Sequence, residues 1–138
     1  MPSTSSPIET FDGTRTDVLD ALPRVSFRER QHAVPSSERP APGRYLELDD
    51  GEERVLLPLR SGTTHVGRGF SADVQLEDQS VSRRHALVYQ RPTGSRILDD
   101  RSANGTFVNG RRVTEAELSD GDVVVLGRVV LTYRDVGA

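Results

Sequence analysis

From residue 44 onward the chain is a succession of short apolar runs, and no segment keeps the 3.6-residue period of an amphipathic helix. Turn dipeptides separate several runs, as at Asn104-Gly105 and Asp120-Gly121, and these readily supply the positive φ of tight hairpins. The strand candidates are 45–48, 54–59, 65–67, 73–76, 85–90, 96–99, 106–108, 123–126 and 129–133. So many short strands in about 95 residues predict an all-β fold, an antiparallel β-sandwich.

The first 43 residues have a different composition from the rest. They contain six of the eight prolines, and about 28% of them are apolar, against about 37% in 44–138. A segment so poor in apolar residues cannot bury enough surface to order itself. We therefore predict a disordered or weakly structured N-terminal tail that ends in a proline-rich linker over 1–43, followed by one folded domain over 44–138.

The composition excludes several classes of protein. Without cysteine there is no disulfide, no thiolate metal site and no cysteine nucleophile. The longest apolar runs have four residues, far short of the ~20 of a membrane helix, and the first residues do not resemble a secretory signal. The net charge of −3 argues against a non-specific nucleic-acid binder. The expectation is a monomeric cytoplasmic protein that holds no metal or cofactor, inserts in no membrane and binds no nucleic acid.

Three predicted loops are unusually polar, and function in a sandwich tends to lie in the loops at one end. The loops are 67–69, 78–86 and 99–110. They contain, in order, a Gly-Arg pair, a Ser-x-x-His motif and an Asn-Gly-Thr-x-x-Asn-Gly motif. Each motif alone is weak, but the ordered set at this spacing is specific.

With these motifs, roughly residues 44–136 resemble the forkhead-associated (FHA) domain. The resemblance implies a sandwich of about eleven strands that binds phosphothreonine peptides through the loops at one end. The implied partners are phosphothreonine-containing proteins and a Ser/Thr protein kinase. On this reading the chain is a binding module of kinase signalling and not an enzyme.

The residues that match the family's peptide-contacting positions suit that chemistry; they are Arg68, Ser82, Arg83 and Asn104. A phosphothreonine carries roughly −1.5 to −2 charge and offers three strong acceptor oxygens. Arginine donates paired, charge-assisted hydrogen bonds to such a group, and a serine hydroxyl donates another. An asparagine amide both donates and accepts, which suits it to hold the peptide backbone.

Other matched positions are expected to shape the binding loops: Gly67, His85, Gly105, Thr106, Asn109 and Gly110. One departure concerns Ala103, because the family often has serine or threonine there as a phosphate donor. Arg83 or Ser102 would then replace that donor. Family members often select the third residue after the phosphothreonine with the loop position that Ser80 occupies here, and serine predicts no strong preference.

Two other classes of function fit the sequence less well. Ser82 and His85 with Asp99 or Asp100 suggest a hydrolase triad, but there is no Gly-x-Ser-x-Gly elbow, and side chains three apart at a strand entry tend to diverge. The three histidines lack zinc-ligand spacing. A DNA-binding module would need a recognition helix or net positive charge, and the sequence predicts neither.

The tail suggests regulation. Small proteins that pair this domain with a threonine-bearing tail include kinase-controlled switches in which the phosphorylated tail folds back onto its own domain. Thr10, Thr14 and Thr16 are the candidate phosphosites. The alternatives are a partner-docking segment or a leader without a role and, for the domain itself, a protein-interaction scaffold independent of phosphorylation.

Overall fold

The computed structural model describes residues 34–35, 40–49 and 54–137, and no residue in these ranges is helical. The candidate phosphosites Thr10, Thr14 and Thr16, with most of the predicted tail, lie outside the described residues. The strands within the described ranges are β1 (Val34–Pro35), β2 (Gly43–Asp49), β3 (Arg54–Pro58), β4 (Gly62–Gly67), β5 (Val74–Gln75), β6 (Ala86–Arg91), β7 (Gly94–Asp99), β8 (Thr106–Val108), β9 (Arg111–Val113), β10 (Glu115–Leu118), β11 (Val123–Leu126) and β12 (Val129–Val136).

The strands form two sheets. The seven-stranded sheet has the order β1-β3-β2-β12-β11-β8-β9, and the five-stranded sheet has the order β10-β7-β6-β4-β5. Neighbouring strands are antiparallel except β4 and β5, which pair in parallel over two residues, with Val66 opposite Val74. Both sheets contribute side chains to one apolar core. The predicted all-β sandwich is therefore confirmed.

Alternating burial along the strands orients each sheet toward the other. In β12, Val129, Leu131 and Tyr133 are buried while Val130 points outward, as the two-residue period of a strand requires. The hydroxyl of Tyr133 donates a 2.7 Å hydrogen bond to Oγ of Ser95 in β7, which joins the two sheets inside the core. Burial raises the pKa of the Tyr133 hydroxyl above its ordinary value.

Three strands have no counterpart among the sequence candidates. The strand β9 begins with two arginines, and β10 carries two glutamates, so neither resembles an apolar run. Pairing with a neighbour accounts for them, since β10 lies beside β7 with Ala116 opposite Ile97. The strand β1 falls within segment 1–43, the predicted tail and linker, and pairs with β3. The domain boundary at residue 44 stays a prediction.

Within the described ranges, no helix has the length and apolar character to cross a membrane. No group of three or more side chains there could hold a metal ion.

Candidate functional site

Three connections meet at one end of the sandwich, and they are the loops that the sequence singled out. We call them loop A (68–73, between β4 and β5), loop B (77–85, between β5 and β6) and loop C (100–105, between β7 and β8). Backbone N–H of Arg68 donates to the carbonyl of Ser82 at 2.9 Å, which joins A to B. The side-chain amide of Asn104 donates to the carbonyl of Ser80 at 2.8 Å, which joins B to C.

Loops A and B approach so closely that Gly67 must lack a side chain. A β-carbon there would lie 2.1 Å from the carbonyl oxygen of Arg83, well inside van der Waals contact. Two backbone hydrogen bonds fix this approach, from Gly69 N–H to that same carbonyl at 3.1 Å and from Leu76 N–H to the carbonyl of Gly67 at 2.9 Å. Gly67 is the last residue of β4, so its role is close packing and not a turn.

Arg68 is exposed at the start of loop A, and its side chain is held by one hydrogen bond. Its Nε donates to the carbonyl of Val81 at 2.9 Å. Among the described residues, no acceptor takes the N–H groups of its two terminal nitrogens. A guanidinium anchored at Nε and open at its terminal nitrogens is oriented to bind an anion in bidentate fashion.

The hydroxyl of Ser82 is oriented by the backbone of loop C. Its Oγ accepts a 2.9 Å hydrogen bond from the N–H of Ala103. Because this bond uses a lone pair, the hydroxyl proton remains available to a ligand outside the loops. Ala103 thus contributes through its backbone, although its side chain offers no donor.

His85 is fully buried and links loops B and C. Its Nδ1 accepts a 3.0 Å hydrogen bond from the backbone N–H of Ser82, and its Nε2 lies 2.8 Å from the carbonyl of Gly105. These partners assign the neutral tautomer with the hydrogen on Nε2, which donates to Gly105. Both ring nitrogens are therefore occupied by backbone groups, and neither can accept the hydroxyl proton of Ser82 as a hydrolase triad would require.

Asp99, at the end of β7, organises loop C. Its Oδ1 accepts hydrogen bonds from the hydroxyls of Ser102 and Thr106, the latter at 2.7 Å, and its Oδ2 accepts the N–H of Ser102. Burial tends to raise the pKa of the Asp99 carboxyl, but the hydrogen bonds from Ser102 and Thr106 outweigh it and hold the pKa below its ordinary value. Since the hydroxyl of Ser102 donates to Asp99, its proton does not replace the donor missing at Ala103.

Asp99→Asn tests this organisation. The variant loses a charged acceptor of three hydrogen bonds, so the free energy of unfolding should fall by about 1.5–3 kcal/mol at pH 7. The folded-state pKa lies below the unfolded value of about 3.9, so the ionised carboxylate stabilises the fold above that pH, and its contribution is lost as pH falls through the folded pKa. Urea unfolding at pH 7 and pH 3 should show the difference between parent and variant shrinking at the lower pH. An equal difference at both would contradict this role.

The remaining predicted positions divide between the loop end and elsewhere. Arg83 is exposed in loop B, with no carboxylate paired to it among the described residues, and it borders a cavity of about 220 Å³ with Ser71, Arg84 and Asp100. Asn109 and Gly110 lie beyond β8, in the turn to β9 and away from the loops, where both have positive φ. Thr106 is buried below loop C.

Ser80 lies on the side of the site next to Asn104, and its hydroxyl forms hydrogen bonds with neighbouring residues. Its hydroxyl donates to Oδ1 of Asp78 at 2.7 Å and accepts the backbone N–H of Arg128 at 3.0 Å. Arg128 belongs to the turn between β11 and β12, which the sequence did not indicate as part of the site. Because Arg128 lies 48 residues after Ser80, no local sequence motif could have identified it.

The fold and loops define a β-sandwich that presents oriented cationic and hydroxyl donors at one end, and comparisons with known proteins agree. The family model of the FHA domain matches residues 64–127. The glycogen accumulation regulator GarA of Mycobacterium tuberculosis is 32% identical over 130 residues, which cover 91% of this chain and 79% of GarA. The chain belongs to the FHA family.

Two further matches cover the domain alone. An ABC transporter ATP-binding/permease protein of Mycobacterium tuberculosis is 44% identical over 82 residues, which cover 59% of this chain and 10% of the transporter. The chain therefore spans about a tenth of that relative's length. A solved structure described as an analysis of phosphothreonine-dependent FHA domain interactions is 41% identical, with a TM-score of 0.62, over 66% of this chain and 94% of that one.

Proposed function

We propose that this protein binds phosphothreonine-containing peptides through loops A, B and C. The observation that carries the proposal is the arrangement of Arg68 and Ser82, which lie on adjacent hydrogen-bonded loops and are each held by backbone contacts. Each keeps donors available to a ligand. The similarity to a structure concerned with phosphothreonine-dependent FHA interactions supports the choice of ligand.

The chemistry of the loops fits a dianionic phosphate better than a carboxylate. Two terminal nitrogens of Arg68 and the hydroxyl of Ser82 can together meet the three phosphate oxygens. Because His85 and Asp99 hold the loops in place, little side-chain ordering is needed on binding. The side-chain oxygen of Asn104, which no donor reaches among the described residues, remains available to accept a peptide N–H.

The proposed role is that of a binding module in Ser/Thr kinase signalling, with phosphothreonine-containing proteins and a Ser/Thr kinase as partners. The engagement of both ring nitrogens of His85 by the backbone speaks against hydrolase chemistry. The name of GarA describes a regulator, which is consistent with a protein that acts by binding.

A peptide library in phosphothreonine, phosphoserine and unmodified forms tests the function. We expect binding in the phosphothreonine form only, or with a strong preference for it. Comparable binding to all three forms would favour the alternative, a scaffold that is independent of phosphorylation.

Ser82→Ala should weaken binding of a phosphothreonine peptide by about 1.5–3 kcal/mol, the size of one hydrogen bond to a charged group. Isothermal titration with one peptide measures the loss. The variant removes an acceptor from Ala103 N–H, which is exposed and can bind water, so the melting temperature should change little. Unaltered affinity would show that the hydroxyl does not contact the phosphate.

Regulation by the protein's own tail is a further part of the proposal. Seventeen residues lie between Thr16 and Val34, the first residue of β1. A flexible segment of that length spans about 23 Å r.m.s., comparable with the size of the domain. Tethering gives an effective concentration in the millimolar range, so even a weak site would be occupied by a phosphorylated tail.

Phosphorylating the tail should therefore reduce the apparent affinity for an added phosphothreonine peptide. Competition by a millimolar tethered ligand predicts a loss of at least about tenfold if the free segment binds with a dissociation constant near 100 μM. Fluorescence anisotropy of a labelled peptide measures it, and alanine at Thr10, Thr14 and Thr16 together should restore the unphosphorylated affinity. Equal affinity before and after tail phosphorylation would exclude self-inhibition.

A further inference from the structure

Asp78 is a buried carboxylate of loop B to which the proposed binding of phosphate assigns no role. Its side chain is only 2% exposed, and it begins a tight turn over 78–81, in which the N–H of Val81 donates to the carbonyl of Asp78 at 3.0 Å. Its Oδ1 accepts two hydrogen bonds from Ser80, from the backbone N–H at 2.9 Å and from the hydroxyl at 2.7 Å. The carboxylate therefore fixes this turn from within, as aspartate side chains do when they bind the backbone two residues on.

The carbonyl groups of the same turn hold two side chains that are proposed to bind the peptide. The carbonyl of Ser80 accepts the side-chain amide of Asn104 at 2.8 Å. The next carbonyl along the chain, that of Val81, accepts Nε of Arg68 at 2.9 Å. One turn in loop B therefore orients both an amide from loop C and a guanidinium from loop A.

These two contacts decide which atoms the side chains offer to a ligand. A carbonyl oxygen only accepts hydrogen bonds, so it takes the amide nitrogen of Asn104 and leaves the side-chain oxygen to accept a peptide N–H. In the same way, the contact at Nε of Arg68 leaves the two terminal nitrogens to donate to a phosphate. Without the contacts, both side chains would rotate, and the cost of ordering them would oppose binding.

Arg128, in the turn between β11 and β12, closes over Asp78. Its N–H donates to Oγ of Ser80 at 3.0 Å, and its Nε lies 3.3 Å and 3.4 Å from the two carboxylate oxygens. Burial tends to raise the pKa of the Asp78 carboxyl, but the hydrogen bonds from Ser80 and the charge of Arg128 outweigh it and hold the pKa below its ordinary value. The carboxylate is therefore ionised at neutral pH, which makes it a strong acceptor for Ser80.

We propose that Asp78 is a positioning residue for phosphothreonine binding, which holds Arg68 and Asn104 in their binding orientations through the turn over 78–81. The inference rests on the proposed function and assigns to it a residue that itself contacts no ligand. Because Asp78 is buried beneath Ser80 and Arg128, its effect on binding passes through the carbonyls of Ser80 and Val81.

Side-chain NMR of the protein without peptide tests the positioning directly. In the parent, the Nε–H of Arg68 and one amide proton of Asn104 should resonate away from the positions of exposed side chains and exchange slowly with water, because a carbonyl holds each proton. In Asp78→Ala, Ser80 loses its acceptor, so both signals should move toward the exposed positions and exchange faster. Asp78→Asn keeps Oδ1 as an acceptor, so its signals should stay close to those of the parent.

Isothermal titration with one phosphothreonine peptide measures the effect on binding. Asp78→Ala should bind about tenfold more weakly, because two side chains that each make hydrogen bonds of modest net strength are loosened. Asp78→Asn should stay within about threefold of the parent, since it retains the acceptor oxygen. In a double-mutant cycle, the losses from Asp78→Ala and Asn104→Ala should be less than additive, because part of the effect of Asp78 passes through Asn104.

Asp122→Ala is the matched control. Asp122 also accepts a backbone N–H, from Ser119 at 2.7 Å, and a side-chain amide, from Asn109 at 3.0 Å, but it lies in the turn before β11, away from loops A, B and C. The variant should lower the melting temperature yet leave peptide affinity within about twofold of the parent, as expected for a distant site without shared partners. Equal losses of affinity in Asp122→Ala and Asp78→Ala would point to general loosening of the domain and overturn the inference.

Should Asp78→Ala not fold, Ser80→Ala provides the same test in a milder form. It loses the hydroxyl bond to Asp78 but keeps the N–H bond, so the two side-chain signals should move in the same direction by less. Unmoved signals in the folded variant, or an unchanged affinity in Asp78→Ala, would overturn the inference while parental binding of the phosphopeptide stays intact. Failure of the parent to bind the phosphopeptide would overturn the proposed function together with this inference.

Discussion

Arg68→Ala should reduce binding of a phosphothreonine peptide at least about a hundredfold, close to complete loss in a titration. The variant removes the planar cation whose terminal nitrogens are open to a ligand, and two charge-assisted hydrogen bonds are together worth about 3 kcal/mol or more. The fold should persist, because Arg68 is exposed and its side chain makes one hydrogen bond to the backbone, at Val81. Isothermal titration and thermal melting measure the two effects separately.

Arg60→Ala is a suitable control for this experiment. Arg60 is exposed just before β4, the strand that leads to Arg68, and it forms a 3.5 Å ion pair with Asp73. Its removal changes the net charge equally but should leave peptide affinity within about twofold of the parent. If Arg68→Ala and Arg60→Ala bind the phosphopeptide equally well, the phosphate is bound elsewhere.

Gly67→Ala should destabilise the whole domain by about 3 kcal/mol, because the new methyl group would overlap the carbonyl of Arg83 by more than an ångström. That oxygen belongs to the backbone of loop B and cannot move without breaking the hydrogen bond to Gly69. For a domain of about 100 residues the expected loss in melting temperature is about 12 °C or more. Differential scanning calorimetry measures it.

Gly69→Ala is the matched comparison, since it is the same substitution two residues later in the same strand-to-loop segment. Its β-carbon would lie 3.3 Å from the same carbonyl, a distance that a shift of a few tenths of an ångström can relieve. We expect a change of about 1 kcal/mol or less. Similar melting temperatures for the two variants would contradict the close approach at Gly67.

The sequence predicts most of the fold because apolar residues that alternate along a strand mark the face that is buried in the core. Leu131 and Tyr133 face the core from a run that reads as a strand without knowledge of its neighbours. The strand β9 has no such signal, as its two arginines carry no apolar period. It forms through its pairing with β8, a contact between strands that the propensities of its own residues do not predict.

The candidate site likewise has residues that the sequence predicts and residues that it does not. Arg68, Ser82 and Asn104 lie in motifs whose order identifies the family, and the structure brings their loops together. The contribution of Asp99 depends on where two hydroxyl groups point, which sequence spacing does not specify. Arg128 is harder still to predict from the sequence. Its hydrogen bond to Ser80 forms only because the seven-stranded sheet places the turn of Arg128 beside loop B.

In loop C, one departure from the family motif changes which neighbouring residues could bind a phosphate. Alanine at position 103 removes a side-chain donor but keeps the backbone N–H that orients Ser82. The adjacent Ser102 cannot replace that donor, since its hydroxyl donates to Asp99. Arg83, which has no carboxylate partner among the described residues, stays the candidate that the family motif offers as a second cation.

The most direct test of phosphothreonine binding by the loop end is a two-dimensional amide NMR titration of the parent protein. One peptide is added in phosphothreonine form and then, to a second sample, in unmodified form. We expect large shifts for the amides of Arg68, Ser82 and Ala103 with the phosphopeptide and none with the unmodified peptide. Equal shifts with both peptides, or phosphate-dependent shifts confined to the face formed by β7 and β10, would contradict it.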